Sequence, residues 1–194
     1  MKEFVDRLVY RITINNTYDE IQIKKMKFGL ACFLEEFIKF IIYLVFFTLL
    51  SLTQYFLVAA IVFTSLRSFA GGYHEKTTIR CFFITLLSMS FIVFPAAYLD
   101  FNIIFKIVIA ILSFCIILYF SPVDHPNKPI ISVDRRKRLK YLSLSFTMIY
   151  LMIALIINND LGELVSMGVF VEAMTLPIGV LDKKSILKKR ADNL

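Results

Sequence analysis

His74 and Cys81 stand seven residues apart in RSFAGGYHEKTTIRC (67–81), the most polar stretch between two apolar runs of the chain. A thiol and an imidazole together are the parts of a nucleophilic dyad. Cys81 follows Thr77 and Thr78, both good N-cap residues, so it falls in the first turn of the helix expected to start there. The positive end of that helix, with Arg80 alongside, favours a thiolate. His74 can take up a proton near neutral pH. On one straight helix the two groups would share a face yet stand about 10 Å apart along the axis, beyond hydrogen-bond reach. The dyad therefore requires a turn between them, and Gly71-Gly72 supplies residues that tolerate positive φ and close backbone approach. Blander readings of the same residues exist. A lone cysteine in an apolar helix is ordinarily a packing residue, the reading taken for Cys32 and Cys115. A lone histidine at a membrane boundary is ordinarily interfacial or a proton carrier.

The elements that must position these groups are apolar. The 194 residues are 58% hydrophobic, with 20 Phe and no Trp, and the mean hydropathy is +0.73. Soluble domains sit nearer about 45–50% apolar, so the expected class is an integral membrane protein. The net charge of +7 would suggest nucleic acid in a soluble chain; here it is expected to set topology, with no nucleic-acid partner. Three cysteines at irregular spacing offer no disulfide framework and no zinc pattern. No HExxH or GxSxG signature is present, and no metal or cofactor is expected. MKEFVDRLVYRITINN lacks the apolar core and cleavage site of a signal peptide.

A membrane span needs about 20 mostly apolar residues. Candidates run near Phe37–Leu50, Tyr55–Phe69, Cys81–Leu99, Phe101–Phe120, Tyr141–Ile157 and Leu164–Leu181. The first two are short and joined by SLTQ, so four spans is the fallback if that pair is re-entrant. The 22 lysines and arginines test the division: all but Lys39 and Lys106 lie before the first span, around 67–80, within 128–140, or after the last. The connections SLTQ, LDF and NNDLGE contain neither. The positive-inside rule yields this alternation when six spans leave both termini in the cytoplasm. The expected fold is thus all-α and polytopic, one membrane-embedded domain over 1–194. Residues 1–34 form its cytoplasmic segment, and 3–12 there read as an amphipathic helix lying on the leaflet or packed on the protein.

Other charged residues have plainer readings. Glu35 and Lys39 are spaced as an i,i+4 pair. SPVDHPNKPIISVDRRKRLK (121–140) is a proline-rich loop followed by a polybasic run, ordinarily a membrane-boundary anchor, and His125 within it has no assigned role. Glu172 is ionisable inside a span and so a functional candidate.

LRSFAGGYHEKTTIRC closely resembles the signature of the accessory gene regulator B family, the membrane endopeptidases of Gram-positive quorum sensing. SPVDHPNKPI with its basic run is similar to the family's cytoplasmic loop, and VFVEAMTLPI (169–178) to its last span. The resemblance implies that Cys81, assisted by His74, removes the C-terminal tail of a small precursor peptide. An internal cysteine or serine of the precursor then resolves the acyl-thioester, closing a thiolactone or lactone ring. The charge alternation places 67–81 and 121–140 on the cytoplasmic side, and membrane lipids and a second copy of the chain are expected partners. The resemblance further implies a charged precursor tail, which Arg135, Arg136 and their neighbours could attract.

Around the dyad, backbone N–H groups near Gly71 and Gly72 or at the helix start by Cys81 are candidates for oxyanion support. Arg67 could bind a substrate carboxylate or a lipid headgroup, or simply anchor the boundary, and Glu172 is a candidate to orient His74. A rival reading is a peptide transporter using His74, Glu163, Glu172 and Lys106 along a path through the membrane.

Overall fold

The computed structural model describes residues 2–14, 18–73, 75, 77–124, 129–157 and 159–191. Its elements are α1 (Lys2–Thr13), α2 (Glu20–Leu49), α3 (Thr53–Ala70), α4 (Thr78–Tyr98), α5 (Ile103–Phe120), α6 (Val133–Ile156) and α7 (Asp160–Ala191). Among the described residues there is no strand, only one isolated bridge between Gly71 and Val123. The chain falls into two compact units, Met1–Leu49 and Leu50–Leu194.

In the first unit the 3.6-residue periodicity of 3–12 produces α1 as expected. One face buries Val5 and Val9, while Phe4, Tyr10 and Ile12 are at least half exposed. Asp6 meets Lys27 of α2 at 2.6 Å, so α1 is packed on protein by one stripe and still presents apolar residues on another. The expected first span is the C-terminal part of α2. Even the most apolar 18 residues of that helix, 32–49, hold Glu35, Glu36 and Lys39. Lys39 pairs with Glu36 at 2.7 Å, not with Glu35; the i,i+3 spacing serves as well as i,i+4 on a helix surface.

The second unit holds five helices, α3 to α7, long and apolar enough to cross a membrane. At its centre is α7, which packs against the other four. Val165, Val169, Ala173 and Leu176 recur on one face of α7 and meet Val62, Leu66 and Ala70 of α3, Ala110 and Ile117 of α5, and Leu151 and Ala154 of α6. Small residues set the spacing: a Cβ on Gly168 would come within 2.9 Å of Val62, the close approach that glycine allows between membrane helices. The outward faces are as apolar as the core. On α4, Ile79, Phe83, Leu87 and Phe91 follow one another every four residues and are each more than half exposed, as lipid-facing residues are. Cys115 lies on such a face and Cys32 is exposed on α2, which corrects their assignment as core packing. In a lipid environment an apolar residue need not point inward.

Candidate active site

The helix break that the dyad requires is present. α3 ends at Ala70, and Gly71 and Gly72 follow with φ of 78° and 138°, conformations that favour glycine. α4 resumes at Thr78 with Thr77 as N-cap, although the Thr77 hydroxyl makes no capping bond. Cys81 is the fourth residue of α4, in its first turn. Its amide donates to Thr77 O at 3.0 Å, so it is committed to the helix. With α4 starting at Thr78, the amides of Thr78, Ile79 and Arg80 have no acceptor within the helix. Oxyanion support from this helix end would come from those three. His74, the expected partner of Cys81, lies outside the described residues, as do Lys76 and His125.

Each glycine of the turn is pressed against a different partner. A Cβ on Gly71 would lie 1.9 Å from Val123 O, in the loop after α5, and Val123 N donates to Ala70 O at 2.8 Å. A Cβ on Gly72 would lie 2.6 Å from Thr175 Oγ1, 3.3 Å from Glu172 Oε1 and 3.4 Å from Arg67 Nη1. From the other side Gly179 of α7 closes on the turn: its Cβ would be 3.0 Å from Gly72 C and from Tyr73 N. A side chain at Gly71 would run into backbone, and one at Gly72 or Gly179 would force a neighbour to shift.

Arg67 and Glu172 are brought together here. Arg67 Nη1 lies 3.5 Å from Glu172 Oε2, Nη2 donates to Tyr73 O, and the guanidinium rests over the Phe63 ring. Glu172 has no exposed surface, and its Oε1 has no hydrogen-bond partner among the described residues. Thr175 Oγ1 donates to Glu172 O at 2.8 Å. Arg67 is thereby internally engaged, holding the carbonyl of the residue just before His74. One residue beyond His74, Glu75 accepts from Tyr73 Oη at 2.5 Å. That hydrogen bond, with some burial and the charge of Glu75, pushes the Tyr73 phenol up to about 12.

Sequence reasoning missed a second cluster. Asp124, its side chain 6% exposed, meets Arg136 Nη2 of α6 at 3.0 Å and Lys183 Nζ of α7 at 2.5 Å, and accepts from Ile130 N at 3.1 Å. Burial works against its charge, but the Lys183 and Ile130 hydrogen bonds and the two cations outweigh it and hold the carboxyl below its ordinary value. The signal was present in part: Asp124 precedes a polybasic run, and Lys183 falls on the face of α7 that carries Glu172 and Gly179. Arg136 is therefore committed to Asp124. Arg135 is exposed on another face of α6, where with Arg138, Leu139 and Leu142 it lines a cavity of about 480 Å³. The structure does not bring Arg135 to the glycine turn.

Glu163 and Lys106 occupy the opposite end of the bundle. Lys106 Nζ is 3.7 Å from Glu163 Oε1, and Phe101 N donates to that oxygen at 2.9 Å. Nine residues separate Glu163 from Glu172 on α7, about 13 Å of helix. With apolar Val165 and Val169 packed between them, the two carboxylates belong to separate clusters. No group of three or more His, Cys, Asp or Glu able to hold a metal is found among the described residues.

Comparison with known proteins agrees over nearly the whole chain. The family model described as Accessory gene regulator B matches residues 5–176. The accessory gene regulator protein B of Staphylococcus aureus strain JH9 is 24% identical over 172 residues, which covers 89% of this chain and 91% of the relative. That of strain Newman is 25% identical over 174 residues, covering 89% and 90%. No solved structure matches. A polytopic helical chain with a glycine turn anchored on its last helix and a cysteine in the next first turn thus belongs to the accessory gene regulator B family.

Proposed function

We propose that this protein is a cysteine endopeptidase that cleaves a small precursor peptide and drives its cyclisation into a quorum-sensing signal. The observation that carries the reading is the position of Cys81, in the first turn of a helix that begins just after a glycine turn packed on α7. In the proposed reaction Cys81 Sγ attacks the scissile carbonyl as His74 takes the thiol proton. The C–N bond breaks, the tail leaves with that proton on its new amine, and the peptide remains as a thioester on Cys81. An internal thiol or hydroxyl of the precursor then attacks the thioester, closing the ring and regenerating the Cys81 thiol. The N–H groups of Thr78, Ile79 and Arg80, which lack intrahelical acceptors, are the nearest candidates to receive the oxyanion. The distribution of basic residues supports a site open to the cytoplasm, where a newly made peptide arrives.

The test separates thioester chemistry from its absence. A precursor whose internal nucleophile is replaced by alanine is still attacked but cannot close the ring. It should accumulate on the wild-type enzyme as an adduct, visible as a mass shift and released by hydroxylamine. Cys81→Ala should form none and lose at least about a thousandfold in cleavage. His74→Ala should slow cleavage by about 10²–10⁴, the span of general-base catalysis. Cleavage at the normal rate by Cys81→Ala would sink the proposal.

A further inference from the structure

One face of α7 reaches both loops of the site end. Glu172 meets Arg67, Thr175 and Gly179 press on Gly72 and Tyr73, and Lys183 meets Asp124. Residues 172, 175, 179 and 183 fall within about a quarter-turn of one another at 100° per residue, so they form one stripe. The loop after α5 enters this arrangement twice. Val123 is tied to the glycine turn through its amide to Ala70 O and through its carbonyl against Gly71. The next residue, Asp124, carries the only charge of SPVD.

We propose that Asp124 is a positioning residue, locking the loop after α5 onto α6 and α7 and thereby bracing the Gly71–Tyr73 turn. Residues 121–123 are held by the Ser121–Ser143 hydrogen bond, by Val123 N on Ala70 O and by the Val123 side chain in the core. Asp124 adds an ionic tie to α6 and α7 directly after them. Its carboxylate spans two helices, with Arg136 on one and Lys183 on the other, and closes its own loop by accepting from Ile130 N. It is nearly buried while both cations keep part of their surface in solvent. Charge-assisted bonds of this kind are strong and directional. Without the carboxylate, two cations would face each other across the loop and push α6 and α7 apart there.

The clamp rests on the reading that Cys81 attacks a precursor, and it makes a prediction distinct from that reading. Asp124→Asn keeps the shape and the acceptor for Ile130 N but removes the charge. In the inserted, full-length protein it is expected to lower precursor turnover about tenfold with KM changed less than about twofold, because Asp124 touches no substrate. Amide exchange at Val123 should quicken together with the loss. Lys183→Gln, on another helix, should act in the same direction. The double variant should cost no more than the worse single one, since both break the same contact. Unchanged turnover and unchanged Val123 exchange in Asp124→Asn would overturn the clamp. So would a lowered KM at full turnover, which would make Asp124 a competitor for the precursor's carboxylates. If wild-type enzyme forms no Cys81 adduct, the peptidase reading fails on its own. The clamp is then decided by exchange alone, standing if Val123 quickens in both variants and falling if it does not.

Discussion

Arg67 and Glu172 meet at 3.5 Å although 105 positions separate them in the chain, and Gly72 closes over the pair. The carboxylate is fully buried and Arg67 is its only charged neighbour among the described contacts, while Arg67 also holds Tyr73 O. Removing one partner should therefore cost more than removing both. Arg67→Met strands a buried carboxylate, a loss of about 3–5 kcal/mol by the behaviour of broken buried pairs. Glu172→Gln should cost less, because the amide still accepts from the guanidinium and Arg67 reaches partly to solvent. The double variant Arg67→Met/Glu172→Met should recover most of the stability, read as the midpoint of thermal unfolding in detergent. It should not recover turnover, because the guanidinium no longer holds Tyr73 O. Full turnover in a stable double variant would reduce the pair to a packing device.

The two ends of the second unit give the topology a direct test. α5 alone, 18 residues at 1.5 Å each, separates Asp100 from the loop at 121 by about 27 Å, close to the hydrocarbon thickness of a bilayer. Asp100 and Lys137 are both exposed. In a chain stripped of its three native cysteines, a cysteine at 100 should react with a membrane-impermeant maleimide in intact cells. One at 137 should react only after permeabilisation. External labelling at 137 would reverse the orientation and remove the cytoplasmic site.

What the chain reveals by itself follows from the range of the physics. Hydropathy and glycine are local signals, so the apolar segments, the amphipathic α1 and the break between α3 and α4 were all legible. Type and neighbourhood of Cys81 were legible for the same reason. Partner choice was not. Glu36 rather than Glu35 takes Lys39 because side-chain direction, not spacing alone, decides between i+3 and i+4. Asp124 finds Lys183 only once α5, α6 and α7 are side by side, and nothing in SPVDHP states that adjacency. Arg135 and Arg136 are neighbours in sequence, yet 100° of helix rotation sends one to a cavity of its own and the other to Asp124. The outward placement of Cys115 escaped because a lipid face and a core face have the same composition.

The three glycines should differ in what replaces them. Gly71→Ala forces a methyl to within 1.9 Å of a backbone oxygen, Val123 O, at φ 78°. Neither the loop nor the turn can yield without breaking the Val123–Ala70 hydrogen bond, so this variant should be the most damaging of the set. Gly72→Ala meets a side-chain hydroxyl instead, Thr175 Oγ1 at 2.6 Å, and carries the strain of φ 138°. Strained backbone of this kind costs about 1–3 kcal/mol, and the clash adds to it. Removing the obstacle isolates the two terms: Thr175→Ala leaves Glu172 Oε1 at 3.3 Å as the nearest atom. It should return part of the turnover to Gly72→Ala and nothing to Gly71→Ala. Gly179→Ala has ordinary helical geometry, so its effect comes only from 3.0 Å contacts with Gly72 C and Tyr73 N. It should leave the helix intact while shifting the turn, lowering cleavage more than it lowers the unfolding midpoint. Turnover measured beside membrane abundance ranks all three. Equal tolerance of alanine at 71, 72 and 179 would mean that the turn is not packed on α7 and Val123 during catalysis.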